Sequence, residues 1–382
     1  MSEQTQVLQV TPDAAPKKKP QSTFNRIARY TVVRLITLFL TVVVGVFLTI
    51  MIGNMGGYVD DIRRGEIQET YTQMAILNPA IKNLPPLERT NWINENIELA
   101  YKRYGLDKPF LVRTVRFKID ALSLNLGRSQ NMSSDTGSRQ VRLIILERLP
   151  PTLILFGTVG FILFFFELFF ALFLSRKYGS ILDKVVVTLA PMTSAPGWFY
   201  GIFLILIFAA LLKILPFGGM TDAPPPPRWS FLYLLSLLKH MILPAMALAA
   251  NQVILSVYNW RTFFMIYSSE DYVEMAKAKG LTPRSIERRY VLRPTLPTIV
   301  TTFAFFLIGV WTGAPIFETV FAWPGLGRQL FLAIGLFDIP VIVGEAVIFS
   351  YLLAFTLFLL DFIYALVDPR VKIGSGQGGA QA

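Results

Sequence analysis

Long uncharged runs dominate the hydrophobic pattern of this 382-residue chain. A helix rises 1.5 Å per residue, so about 20 apolar residues are needed to cross the roughly 30 Å hydrocarbon core of a bilayer. Six segments approach or exceed that length when proline and glycine are taken as helix breaks. They are residues 35–59, 149–175, 197–215, 241–260, 294–314 and 340–367. The pattern therefore predicts an all-α integral membrane protein with six transmembrane helices.

The apolar stretch around the third segment is longer than one span requires. Residues 185–212 carry no charge for 28 positions, which as a single helix would measure about 42 Å at 1.5 Å per residue. Pro191, Pro196 and Gly197 divide the stretch, and proline both removes a helical hydrogen bond and clashes with the preceding turn. We therefore predict a short interfacial helix followed by the third span.

The composition supports a membrane location. Hydrophobic residues make up 53% of the chain, charged residues only 16%, and the mean hydropathy is +0.50. These values are unusual for a soluble chain of this length. The net charge of +11 could suggest nucleic acid, but the basic residues lie largely at the ends of apolar runs, as a membrane topology requires. The lipid bilayer is the expected partner, and nucleic acid is not.

Signals for catalysis and for metal binding are absent from the sequence. The chain has no cysteine and a single histidine, His240, so neither a thiolate site nor a multi-histidine site is expected. The signatures G-x-x-x-x-G-K-[ST], H-E-x-x-H and G-x-S-x-G do not occur. We expect no catalytic residue, no metal site and no cofactor on this chain. The rival classes are a membrane enzyme using isolated carboxylates, such as Glu167 and Glu345, and a passive channel.

The distribution of lysine and arginine predicts the orientation. If the N terminus is inside, six basic residues precede the first span, three lie between spans two and three, and seven lie in 261–293. The short loops on the opposite side carry only Arg228 and Arg328 away from the span ends. Cytoplasmic loops are enriched in basic residues, whereas a long segment is translocated largely regardless of its charge. Both termini are therefore expected in the cytoplasm of a multi-pass protein of the cell membrane.

The segment between the first two spans has soluble character. Residues 68–81, 86–103 and 113–124 mix apolar and charged positions as helices do, and proline or glycine separates them. We predict a small helical insertion on the extracytoplasmic face. The expected division of the chain is a disordered cytoplasmic N terminus (1–30), a first transmembrane helix (31–59), the insertion (60–148), a transmembrane domain of five further helices (149–370) and a flexible cytoplasmic tail (371–382).

A charged amphipathic segment interrupts the apolar pattern within the basic loop 261–293. Helical spacing places Asp271, Glu274 and Ala278 near one face of this segment. On the sequence alone, the small side chains of Ala276 and Ala278 would let the helix sit in a groove of a partner. Gly280 suits the end of such a helix, because glycine enters the left-handed conformation without steric cost. The alternative is an ordinary interfacial helix.

Two further features near the apolar runs allow a functional or a structural interpretation. Residues 322–328 combine Trp323 with turn formers and Arg328, so the chain bends between spans five and six. This bend is either a gate lining a path through the membrane or a structural turn. Glu167 interrupts the second span, where a charge is costly. It either faces such a path or packs against a polar group of a neighbouring helix.

Several short motifs, in one collinear order, resemble the permeases of dipeptide, oligopeptide and nickel ABC importers. The loop carries Glu274, Met275, Ala276 and, after three residues, Gly280, which follow the family's E-A-A-x-x-x-G pattern with methionine in place of one alanine. The resemblance covers most of 105–370 and includes ERLPPTL (147–153), HMILP (240–244), ETVFAWPGLGRQL (318–330) and DPR (368–370). The chain departs from the family at Leu124 and Asn125, and in the longer segment 60–102.

The resemblance implies the MetI-like permease fold and a subunit that forms half of a translocation path for peptides. Oligosaccharides or nickel are the alternative cargo. The implied partners are a homologous second permease, two ATPase subunits that carry ATP and Mg, and an extracytoplasmic solute-binding protein. The implied ATPase-coupling residues are Asp271, Glu274, Ala276, Ala278, Gly280, Leu281 and Arg284. The candidate gate and path residues are Glu318, Phe321, Trp323, Arg328 and Glu167.

Overall fold

The computed structural model describes residues 23–54 and 57–367. Apart from one isolated bridge between Arg128 and Gln140, the regular elements of this part of the chain are helices. In chain order they are α1 (Thr23–Asn54), α2 (Tyr58–Leu77), α3 (Pro79–Lys82), α4 (Pro86–Tyr104), α5 (Phe110–Leu122), α6 (Val141–Ser175), α7 (Ile181–Leu189), α8 (Gly197–Leu211), α9 (Phe231–Ser268), α10 (Asp271–Ala278), α11 (Pro283–Val310), α12 (Pro315–Val320), α13 (Leu326–Gly335) and α14 (Ile339–Val367). The predicted all-α fold is confirmed.

Five helices of the described chain are long and apolar enough to cross a bilayer. The sixth predicted span, α8, is a shorter apolar helix made of 8 α-helical and 7 π-helical residues. At 1.5 Å per residue it reaches about 22 Å, less than the hydrocarbon thickness. The count of six spans is therefore not confirmed. The candidate spans are Ala28–Ile52 in α1, Val141–Ser175, Phe231–Ser268, Pro283–Val310 and Ile339–Asp361 in α14.

Several helices extend beyond the apolar runs that predicted them. Helix α6 begins at Val141, and α9 is 38 residues long. Pro150 and Pro151 lie inside α6, where a π-helical turn, Leu153–Gly157, follows them. Such turns accommodate a break in the regular hydrogen-bond ladder, so proline bends the helix without ending it. Helix α1 begins at Thr23, inside the stretch expected to be disordered. Residues 1–22 and the predicted tail lie outside the described residues.

The short helix expected before the third span is present as α7, followed by a 3₁₀ turn, Ala190–Ser194. The Ser180 hydroxyl caps its N terminus by accepting the Asp183 N–H. Asp183 forms a buried ion pair with Arg261 of α9, including an Nη2 to Oδ2 contact of 2.8 Å. The pKa of the Asp183 carboxyl is lowered, chiefly by the Arg261 hydrogen bond. The ion pair therefore contributes its full stabilisation of the fold at neutral pH. This stabilisation is lost only as the pH falls below the ordinary pKa of an aspartate and Asp183 becomes protonated.

The segment predicted as a helical insertion contains helices α2 to α5, and its place outside the membrane stays a prediction. Its small core contains Ile67, Ala100 and Leu106, with Tyr71 packed beside them. Helix α5 connects the insertion to the apolar body, because Ala121 lies in a cluster with buried residues of α1 and α14. The Tyr351 hydroxyl of α14 also donates to the Leu122 carbonyl, at 2.7 Å. The insertion is thus attached to the first and last long helices.

Helices α1 and α14 are also held together by charge. Arg34 forms an ion pair with Asp361, whose side chain is only 16% exposed. From the sequence alone, Asp361 near the end of the last span would be expected in solvent, but in the structure it is largely enclosed by this pair. Apolar positions on both sides of Asp361 gave no sign of its partner, which lies 327 residues earlier in the chain. The pair brings the first and last long helices into a fixed register.

Candidate functional site

The exposed segment between α9 and α11 is built around α10, a helix with two different faces. Val273 and Ala276 are buried in the chain's own core. Asp271, Glu274 and Ala278 are exposed. Residues three apart lie on one side of a helix, so the sequence spacing alone produces one buried and one exposed face. The exposed face can meet another molecule while the buried face stays attached to the chain.

The C terminus of α10 is fixed by a pair of backbone hydrogen bonds. The Gly280 N–H donates to the Lys277 carbonyl at 2.9 Å, and the Leu281 N–H donates to the Ala276 carbonyl at 3.3 Å. This is the Schellman arrangement, which requires a left-handed residue at the position of Gly280. Gly280 has φ +71°, and the space beside its α-carbon is open. Glycine is needed here for its backbone conformation, as the sequence predicted.

The buried face of α10 belongs to a large apolar cluster. The cluster joins Val273 and Ala276 to parts of α6, α7, α9 and α11. Its fully or nearly fully buried members include Leu174, Val257, Phe264 and Val291. Close-packed interiors transmit displacement instead of absorbing it. A push on α10 therefore reaches α6 and α7 as well as the two helices that flank the loop.

Polar contacts strengthen the attachment of the loop. Arg176, at the end of α6, pairs with Glu287 in the first part of α11 at 3.0 Å. The buried pair of Asp183 and Arg261 connects α7 to the end of α9 just before the loop. On the surface, Lys277 contacts Glu274 at 2.7 Å, but both side chains are more than half exposed. Such an exposed pair contributes little, so the rigidity of the loop comes from its buried contacts.

The structure corrects one detail of the predicted coupling residues. Ala276 is 2% exposed and contacts its own chain, so it cannot provide the small contact surface for a partner that the sequence suggested. Ala278 and Arg284 are exposed, and Leu281 is partly buried. Met275, which was not among the predicted coupling residues, is 58% exposed. An unbranched, adaptable side chain at this position suits a protein contact.

The second candidate region is a helical hairpin that interrupts the path from α11 to α14. Within it, α12 and α13 are joined by a turn around Trp323. Glu318 of α12 is fully buried. Its carboxylate accepts the Thr152 hydroxyl at 3.1 Å and the Arg328 backbone N–H at 2.9 Å. The Thr152 oxygen in turn accepts the Leu326 N–H at 2.7 Å. Glu318 and Thr152 therefore hold both short helices of the hairpin against α6.

The aromatic residues of the hairpin are equally enclosed. Trp323 is 0% and Phe321 1% exposed. The Trp323 indole N–H donates to the Pro151 carbonyl of α6 at 2.9 Å. The Arg328 guanidinium donates to the Ala322 carbonyl at 3.0 Å. In this conformation Glu318, Phe321 and Trp323 form the hairpin's internal support, and their role in a gate stays a prediction.

The glycines of the turn explain how closely its two helices approach. A Cβ added to Gly327 would collide with the backbone of Ala314 and Pro315. A Cβ added to Gly325 would collide with Thr152 and Glu318. Backbone is a rigid obstacle, so only glycine fits at the first position. The sequence identified a turn here, but not this contact between α13 and the break before α12.

Glu167 lies in the C-terminal half of α6 and is 4% exposed. The polar side chains of Ser256 and Gln252 on α9 lie near its carboxylate. Its Oε1 atom has no hydrogen-bond partner among the described residues. The structure thus brings Glu167 against polar groups of a neighbouring helix, away from the other candidate path residues. Among the described residues there is also no group of three or more His, Cys, Asp or Glu side chains that could hold a metal ion.

The long apolar helices and the exposed amphipathic loop define a multi-pass membrane protein. Residues 167–373 match the family described as "Binding-protein-dependent transport system inner membrane component". This stretch is more than half of the chain, and the chain belongs to that family. It is therefore a transport subunit and not an enzyme, and it acts with other components of an ABC transporter.

Relatives with curated descriptions agree with this assignment. The chain is 29% identical over 283 residues to the dipeptide transport system permease protein DppB of Bacillus subtilis (strain 168), covering 74% of this chain and 84% of the relative. It is 29% identical over 289 residues to the di/tripeptide transport system permease protein DppB of Pseudomonas aeruginosa (strain UCBPP-PA14), covering 72% and 84%. It is 30% identical over 304 residues to the probable D,D-dipeptide transport system permease protein DdpB of Escherichia coli (strain K12), covering 74% and 86%.

The first prediction tests the support of the hairpin. Thr152→Val removes the hydroxyl that bonds Glu318 and accepts the Leu326 N–H. A buried polar group left without a partner costs about 1–3 kcal/mol, so we expect a clear fall in the melting temperature of the detergent-solubilised protein. Thr152→Ser keeps the hydroxyl and should retain most of the stability. Equal melting temperatures for the Val and Ser variants would contradict the proposed support.

Proposed function

We propose that this chain is a permease subunit of an ABC importer for peptides and forms half of the translocation path. A homologous second permease would complete the path, and two ATPase subunits would bind ATP and Mg. An extracytoplasmic solute-binding protein would deliver the cargo. Peptide cargo is supported by the names of the relatives, which are described as dipeptide or di/tripeptide permeases.

The observation that carries the proposal is the two-faced packing of α10. Its exposed face offers Asp271, Glu274 and Ala278 to a partner, while Val273 and Ala276 belong to the cluster shared with the membrane helices. An ATPase subunit bound to the exposed face would move the buried face with it. Because the cluster includes residues of α6, α9 and α11, this motion would change the packing of three long helices together.

The mechanism follows as a shift between two conformations. ATP binding would draw the two ATPase subunits together and displace α10 on each permease. The permeases would then change from an inward-facing to an outward-facing arrangement and accept cargo from the binding protein. A ligand shifts such an equilibrium only through its different affinities for the two states. The hairpin supported by Glu318 and Trp323 lies beside α6, so it would move with that helix.

The second prediction tests the coupling face. Ala278→Trp places a large side chain on the exposed face of α10 without touching the buried cluster. We expect peptide uptake and substrate-stimulated ATP hydrolysis by the assembled importer to fall about tenfold or more, the change that corresponds to roughly 1.4 kcal/mol of lost contact. The melting temperature of the permease should stay unchanged.

The matched control for this experiment is Ala278→Ser, which keeps the side chain small at the same position. It should transport peptide at nearly the unsubstituted rate. Undiminished uptake by Ala278→Trp would show that α10 is not the ATPase contact. A loss of transport in both variants would point to a requirement unrelated to side-chain size.

The third prediction tests the orientation, with loop 261–293 and both termini in the cytoplasm. The native chain has no cysteine, so an introduced thiol gives an unambiguous signal. Asn91→Cys in α4 and Thr282→Cys in the loop are both at exposed positions. A membrane-impermeant maleimide applied to intact cells whose outer barrier admits it should label the first variant only. Permeabilised cells should allow both to be labelled, and labelling of only Thr282→Cys from outside would reverse the orientation.

A further inference from the structure

A cavity of about 290 Å³ lies between the hairpin and the long helices. Its walls come from α6, α13, α14 and the break between α11 and α12. They are largely apolar, and they include Trp311, Thr312, Leu326, Leu330 and Glu345. Sites for small molecules are typically concave and mostly apolar, with a few polar groups that fix the orientation of the ligand. The volume of this cavity is close to the lower end of the roughly 300–1,000 Å³ that is typical of such sites. It therefore fits one or two residues of a peptide.

The polar group of this cavity is Glu345. Its side chain is 8% exposed, and its Oε2 atom has no hydrogen-bond partner among the described residues. A buried carboxylate oxygen without a donor is costly. Ionisable residues inside a membrane helix are also expensive and commonly mark a path for substrates or ions. From the sequence, Glu345 was considered only as an isolated carboxylate of a membrane enzyme, and no role in transport was predicted for it.

Glu318 provides a direct comparison with Glu345. Both are buried acidic side chains. Glu318 receives donors from Thr152 and Arg328, whereas Glu345 Oε2 receives none in the described chain. The lining of the cavity contains no lysine, arginine or histidine. No side chain of the cavity wall therefore supplies a donor to this oxygen, and a ligand group with several hydrogen-bond donors, such as an ammonium group, complements it.

At the edge of the cavity the helix is interrupted, as helices are at the substrate sites of many transporters. Helix α11 ends at Val310 and α12 begins at Pro315, leaving Trp311 and Thr312 in the break. Irregular backbone at membrane depth is tolerated where it is enclosed by protein or lines a cavity. The Trp311 indole N–H is held by Thr356 at 2.7 Å. This fixes the orientation of an aromatic ring that can lie against an apolar or cationic ligand.

We propose that this cavity is a substrate subsite in which Glu345 accepts the N-terminal ammonium group of a peptide. The apolar walls then hold the first side chain of the peptide, and the Trp311 ring lies beside it. The inference rests on the proposed function, because it assumes that peptides pass through this subunit. It adds the part of the peptide that is recognised and the residue that recognises it. Glu345 is a binding residue, and no bond is made or broken there.

A labelling experiment on the assembled importer tests the subsite without relying on the binding protein. Leu330→Cys places a single thiol of this chain on the cavity wall, with the partner subunits made free of cysteine. The dipeptide Ala-Phe should slow the reaction of this thiol with a maleimide, and N-acetyl-Ala-Phe should not. Adding Glu345→Gln should raise the Ala-Phe concentration for half-maximal protection about tenfold, a change equal to about 1.4 kcal/mol.

Two controls separate charge recognition from general damage. Glu345→Asp keeps the charge and should retain part of the protection. Glu66→Gln removes a partly buried carboxylate of α2 that does not line this cavity, and it should leave the protection unchanged. Equal protection by both peptides, or full protection in Glu345→Gln, would overturn the subsite.

Two further outcomes have distinct meanings. If Glu345→Gln fails to assemble while Glu345→Asp assembles, Glu345 contacts a neighbouring subunit and the ligand assignment is wrong. If the unsubstituted importer transports no peptide at all, the proposed function fails together with the subsite. Peptide transport with undiminished protection in Glu345→Gln rejects only the subsite.

Discussion

The fold depends on one constraint, which is that the bilayer core contains no water to satisfy backbone polar groups. Long helices meet it internally, and the described part of this chain has five helices that are long and apolar enough to do so. The constraint becomes demanding in the break and hairpin between α11 and α14, where the helical ladder is interrupted. There the buried Glu318 and Thr152 accept N–H groups of the α13 turn, and Trp323 donates to α6. These side chains act as substitutes for water and so allow an irregular segment beside the transmembrane helices.

The same packing logic explains how a surface loop can control the membrane part. Helix α10 is only 8 residues long, too short to be stable alone. It is stabilised by its Schellman terminus at Gly280 and by the burial of Val273 and Ala276. Val273 and Ala276 are buried against residues of α6, α9 and α11. The same contacts therefore stabilise the loop and connect it mechanically to these long helices. A partner on the exposed face acts on the arrangement of the long helices through these contacts.

The sequence predicted the features that depend on local pattern. Uncharged runs identified the long helices, and Gly280 predicted the end of α10. The burial of Ala276 could also have been inferred, because Val273 lies three residues earlier on the same face. Contacts between distant segments could not be predicted in this way. Trp323 finds its acceptor 172 residues away, and Asp361 pairs with Arg34 across 327 residues. Nothing near these residues in the sequence indicates their partners, so the sequence left the 322–328 bend open between a gate and a structural turn and gave no sign that Asp361 is paired.

The central claim is that ATP hydrolysed on other subunits drives import through this chain. It is tested most directly by uptake of a radiolabelled dipeptide into proteoliposomes containing the second permease, the ATPases and the binding protein, with or without this subunit. The account predicts concentrative uptake that requires both ATP and this chain. Purified alone, the chain should hydrolyse no ATP. Uptake of equal rate and extent without ATP would contradict the account and indicate a passive channel.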